Sequence, residues 1–176
     1  MNNNKLISAF SLLFLLVSIP LTVFAIRAAQ KPTDIKGGYY HTLVDRVDIS
    51  ADATEFTFQK PASANDPCEI SFLLTVQKSE ADLYGRIDNI TVNGLSYQKA
   101  VFLCQTPALE NTVPENLLLP AADGKSVPLT WKVAVTALFP DKGDYQASLQ
   151  INYTSGLTEV SADSRMLEIP LLIHVA

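Results

Sequence analysis

The chain has 176 residues, 48% of them hydrophobic, 18% charged and 9% aromatic, with 18 acidic against 13 basic side chains and a net charge of −5. That much apolar mass excludes a disordered chain, and the acidic balance argues against a nucleic-acid binder, which must neutralise phosphates with a basic face. Two cysteines are too few for a disulfide scaffold or a four-cysteine zinc site.

The apolar residues crowd the start. Residues 6–26 carry no charge and follow MNNNK, so the segment has the charged start and apolar run of a secretory signal. Val23-Phe24-Ala25 offers short residues before a cut after Ala25. The alternative is a retained anchor, since 21 residues of helix span about 31 Å, enough for a bilayer core. Both readings export the remainder, to the extracellular space or tethered at the cell surface, with the membrane touched only by the N-terminal segment. The expected division is a leader over 1–25, a linker over 26–38 and one domain over 39–176.

In chain order, that domain reads as strands. Residues 39–49 are extended but irregular in pattern. Residues 54–59 turn Phe56 and Phe58 inward, and 70–77 do the same with Ile70, Phe72, Leu74 and Val76. Asn93-Gly94 is the dipeptide of a tight type I′ turn, and it predicts a hairpin pairing Val92 with Leu95 and Ile90 with Tyr97. A further strand covers 100–104, then a proline-flanked loop covers 106–119. Trp131, Val133, Val135, Ala137 and Phe139 share one face of the next strand. Tyr145, Ala147, Leu149, Ile151 and Tyr153 share one face of the strand after it, and the turn residues 140–144 between them predict a second hairpin. The last strand, 167–175, places Leu167, Ile169, Leu171, Ile173 and Val175 on the core. Pro170 lies on its other face and cannot donate to a ladder, so the strand is expected at an edge or with a bulge there.

Eight or nine short strands with no helical periodicity after the leader predict an all-β fold. The expected architecture is a two-sheet antiparallel sandwich, immunoglobulin-like in outline, preceded by one N-terminal hydrophobic helix. The cysteine and tryptophan order of true immunoglobulin domains is absent: Trp131 follows Cys104, and residue 102 is Phe.

Candidate chemistry is sparse. In an exported chain Cys68 and Cys104 are expected to pair, closing a loop of about 37 residues for roughly 3–4 kcal/mol in the chain-entropy model. His41 and His174 read as surface residues; the cysteine–histidine spacing of a copper site fails, because the first histidine after Cys104 is His174. Asp45, Asp48, Asp52 and Glu55 form an acidic stretch without the spacing of a calcium loop. No nucleophile-elbow, zinc-protease or phosphate-loop motif occurs, so no metal, no cofactor and no catalytic residue is assigned. Two glycosylation sequons start at Asn89 and Asn152, both on polar faces. Trp131, Tyr145 and Tyr153 would be a sugar-stacking platform if exposed, but their alternation assigns them to the core. Tyr39, Tyr40 and Pro170 are the contact residues this reading offers.

The expected function is that of an exported, non-catalytic module working by surface contacts in adhesion, surface assembly or accessory binding. Its partner would be another surface protein or a component of the cell envelope. A carbohydrate-binding module and a small secreted hydrolase are the alternatives.

Overall fold

The computed structural model describes residues 38–61, 63–96, 98–106, 109 and 112–176. The N-terminal helix, the cut after Ala25 and nearly all of the expected linker lie outside the described residues, as does Tyr97.

The strands are β1 (Tyr40–Val44), β2 (Val47–Ala51), β3 (Glu55–Phe58), β4 (Pro67–Lys78), β5 (Tyr84–Asn93), β6 (Gln98–Cys104), β7 (Leu117–Leu118), β8 (Leu129–Leu138), β9 (Gly143–Gly156) and β10 (Asp163–Val175). They form two five-stranded sheets. The front sheet runs β1-β2-β4-β8-β6 and the back sheet β3-β10-β9-β5-β7. The alternating positions fall inward as expected. Ile49, Ile70, Leu74, Trp131 and Val133 of the front sheet and Phe56, Leu149, Ile151, Ile169 and Ile173 of the back sheet are buried in one core. Each such side chain contributes about 1.5–3 kcal/mol relative to exposure. The sandwich expectation therefore holds, with one amendment. β3 lies parallel to β10, because the chain leaves the front sheet after β2 and continues onto the back sheet beside the last strand.

Both predicted hairpins are corrected. The 131–139 segment (β8) pairs with β4 and β6, whereas 145–153 (within β9) pairs with β10 and β5. The turn between them is an arch from one sheet to the other. Phe139 and Tyr145 meet edge-on beneath it at 5.0 Å between ring centroids. The Tyr145 hydroxyl donates to the Asp141 carbonyl at 2.8 Å and accepts from the Asp141 N–H at 3.0 Å. Alternation fixes which face of a strand is buried, not which sheet it joins; two inward faces satisfy an arch as well as a hairpin.

Asn93-Gly94 is likewise an inter-sheet connection, from β5 at the back to β6 at the front. Gly94 has φ +91° while Asn93 is not left-handed, so the I′ turn is not made. What glycine provides here is close approach: a Cβ would stand 2.9 Å from the Gln146 carbonyl oxygen and 3.1 Å from the Ala147 Cα. Gly94→Ala should cost about 1–2 kcal/mol, read from urea unfolding as a lower midpoint with an unchanged slope.

The I′ turn lies elsewhere. Asp45 and Arg46 both take positive φ, 46° and 67°, and join β1 to β2 with Val44 opposite Val47. This explains the irregular pattern of 39–49, which is two strands and a two-residue turn rather than one strand.

β10 pairs with β9 along its whole length but with β3 only from Leu172 onward. The Leu172 N–H donates to the Thr54 carbonyl, so residues of the same parity, Pro170 included, point their backbone groups to that side. Pro170 thus sits where β10 is still an edge, and its missing N–H removes no ladder bond.

Candidate functional site

One surface open to contact is the β6 edge of the front sheet, whose opposite edge is β1. β6 bonds to β8 on one side, and among the described residues no strand pairs with its other side. The Gln105 N–H donates to the Thr130 carbonyl at 2.7 Å, which sets the parity. The backbone groups of Lys99, Val101 and Leu103 face β8, and those of Gln98, Ala100, Phe102 and Cys104 face outward.

The side chains of β6 are apolar on both faces. Ala100 and Phe102 lie half-buried against the core, while Val101 and Leu103 stand on the outer face at 36% and 47% exposure. The register carries that outer face across the sheet: Leu103 neighbours Lys132 on β8, which neighbours Leu73 on β4, and Val101 neighbours Ala134. Leu73 is 41% exposed. Lys132 is exposed between Leu103 and Leu73, Lys99 is exposed two positions before Val101, and neither makes an ion pair among the described residues.

At one end of the sandwich a polar staple joins the sheets. The Asp45 carboxylate, held out by the strained turn, accepts from the Tyr153 hydroxyl at 3.4 Å and lies 3.6 Å from Arg165 Nε. Tyr153 belongs to the back sheet and is 1% exposed. Burial, and secondarily the Asp45 charge, pushes its phenol up to about 12. The Arg46 carbonyl accepts from the Ser79 N–H at 2.8 Å, which fixes the turn on its other side.

The two histidines lie on opposite sheets, His41 on β1 and His174 on β10, both exposed. His41 contacts Asp48 at 2.7 Å, and His174 contacts Asp144 at 2.5 Å. No serine or threonine hydroxyl hydrogen-bonds either imidazole among the described residues, so neither pair extends to a nucleophile. The acidic stretch does not converge: Asp45 serves the staple, Asp48 accepts from Gln77 as well as meeting His41, and Asp52 caps the Leu73 N–H at 2.6 Å. Among the described residues no group of three potential metal ligands forms.

Trp131 and Tyr153 are fully buried and Tyr145 half-buried, so these rings present no platform for a sugar. The sequon residues Asn89 and Asn152 are cross-strand partners on the outer back sheet, where the Asn152 amide donates to the Asn89 side-chain oxygen at 2.6 Å.

The expected disulfide is corrected. Cys68 and Cys104 are both free and buried. Cys68 stands opposite Ala137 at one end of β8, and Cys104 opposite Trp131 toward the other, on strands that flank β8. At about 3.3 Å per residue this separates them by roughly 20 Å along the sheet, far beyond the reach of a disulfide. Burial, then the Asp66 carboxylate, raises the Cys68 thiol. Unreduced protein should show no thiol labelling when folded and two labelled thiols in denaturant, measured by intact mass; a disulfide would leave both masked.

Of the contact residues read from sequence, Tyr39 is exposed and stacks on His41 at 6.3 Å, Tyr40 packs half-buried against the core, and Pro170 is exposed on the outer back sheet. None of them lies on β6. Sequence reasoning passed over Leu73, Lys99, Val101, Leu103 and Lys132. The available signal was the unbroken apolar run 100–104, which normally marks a strand buried on both faces. Here it occupies an edge.

No protein-family model matches the chain, and no curated protein matches it. Among solved structures, the chain is similar to the GAE domain of yeast GGA1 at 11% identity and TM-score 0.38, covering 74% of this chain and 95% of that one. It is similar to PapD-like domain 7 of human CEP192 at 16% identity and TM-score 0.37, covering 82% and 94%. It is also similar to the CooA pilin subunit from enterotoxigenic Escherichia coli at 11% identity and TM-score 0.38, covering 74% and 99%.

Proposed function

We propose that this chain is an exported, non-catalytic β-sandwich that acts by surface contact, holding a protein or other component of the cell envelope. Export is read from the uncharged 6–26 segment and its cut site after Ala25. The observation that supports contact is the β6 edge, where Val101 and Leu103 are exposed beside an open ladder. A strand edge of this kind is a template for pairing, and natural sheets usually blunt such edges.

Two measurements test the reading. Intact mass of the chain recovered from its host should show loss of 1–25 or retention of the full leader in a membrane fraction; full-length chain in the cytosol overturns export. The purified full-length chain should retain an envelope component that Leu103→Asp releases. Retention unaffected by Leu103→Asp, or no retention, overturns the contact reading at this edge.

A further inference from the structure

Resting on that reading, we infer that the open edge of β6 receives an extended segment of a partner protein as an added strand, and that this segment is apolar at its centre and carries carboxylates at its ends. The backbone supplies the first half of the argument. Outward N–H and C=O groups at Gln98, Ala100, Phe102 and Cys104 form half a ladder, and an added strand completes it. The core supplies the second. Inward residues of β4 and β8 are fully buried, while Ala100 and Phe102 on the same face of β6 are half-buried, so a strand added beside β6 would cover them further.

Charge selects the occupant. On the outer face Lys99 ends β6, and Lys132 lies beside Leu103 one strand in. A second copy pairing antiparallel about Val101 would set its own Lys99 against Leu103, with Lys132 on the far side of the same leucine. Two ammonium groups would then lie about 10 Å apart across one apolar residue, a repulsion that a strand bearing carboxylates avoids. A strand with a carboxylate opposite Lys99 reverses the sign there, and a second carboxylate two positions beyond Leu103 lets either chain direction make that pair. Apolar residues between them cover Val101 and Leu103. The other open edges differ: β1 carries His41 beside Leu43 on its outer face, β3 and β7 are short at four and two residues, and β10 before Leu172 carries Asp163, Arg165, Glu168 and Pro170.

The test is hydrogen exchange on the full-length chain with the capped heptapeptide Glu-Thr-Val-Ala-Val-Thr-Glu, whose symmetry serves both strand directions. At about 1 mM, the weak end of specific affinity, it should slow exchange at Ala100, Phe102 and Cys104. Val101 and Leu103, already bonded to β8, should not change. The same peptide with Lys at both ends should bind about threefold to tenfold more weakly, and Lys99→Glu should invert that preference. Unchanged exchange, protection without the alternation, or a preference insensitive to Lys99→Glu overturns the inference. So does alternating protection that appears with protein concentration alone, which would make a second copy the occupant. If the peptide fails while Leu103→Asp still releases an envelope component, strand addition is wrong and the contact reading stands.

Discussion

Trp131→Ala should lower the free energy of unfolding by about 3–5 kcal/mol, the range for removing a fully buried large aromatic ring. Trp131 is 0% exposed and sits mid-sheet, between Leu74 on β4 and Cys104 on β6. For a domain whose total stability is of order 5–15 kcal/mol, that loss removes roughly a fifth or more of it. A second feature sets the companion variant apart. The indole Nε1 is buried with no hydrogen-bond partner among the described residues, and an unmet buried donor costs about 1–3 kcal/mol. Trp131→Phe removes that donor together with part of the ring, so it should cost only about 1–2 kcal/mol. Urea unfolding followed by circular dichroism measures both. A phenylalanine variant as unstable as the alanine variant would mean that the ring fills its site too closely for the lost N–H to matter.

The burial of Trp131 was legible in the sequence, and so was most of the core. Period-two alternation named Ile70, Phe72, Leu74 and Val76, then Val133 and Val135, then Ile169, Leu171 and Ile173, and all are buried. This works because a sheet with one wet face sorts side chains by parity alone. Partnership was not legible. At 140–144 and at Asn93-Gly94 local turn chemistry is compatible with a hairpin, but closing a sandwich requires strands to cross between sheets, and that choice depends on distant strands such as β10 and β4. The cysteines failed for the same reason: Cys68 and Cys104 are both at strand ends, but opposite ends of one sheet. The β6 surface was hidden differently. A run of five apolar residues describes a strand that is covered on both faces, and nothing local says that the covering strand is missing on one side.

Raising the pH should separate wild type from Tyr153→Phe at the alkaline end. In the folded chain the Tyr153 phenol is held up to about 12, by burial first and then by the Asp45 carboxylate; unfolded, it returns to about 10. Between those values the unfolded chain has released a proton that the folded chain still holds, so the unfolded state binds fewer protons and stability falls as pH rises. Below about pH 10 the neutral phenol is present in both states and the contribution is whole; near pH 12 about 2–3 kcal/mol of it has gone. A phenylalanine ring in its place cannot titrate, and the hydroxyl that the variant lacks made only a 3.4 Å contact with Asp45. The variant should therefore unfold within about 1 kcal/mol of wild type at pH 7 and lose about 2–3 kcal/mol less between pH 9 and pH 12. Asp45→Asn supplies the control, because it removes the smaller cause and keeps the larger. It should retain most of the alkaline loss, whereas parallel pH profiles for wild type and Tyr153→Phe would show that the phenol titrates freely in the folded chain and that the staple between the β1–β2 turn and the back sheet is not closed in solution.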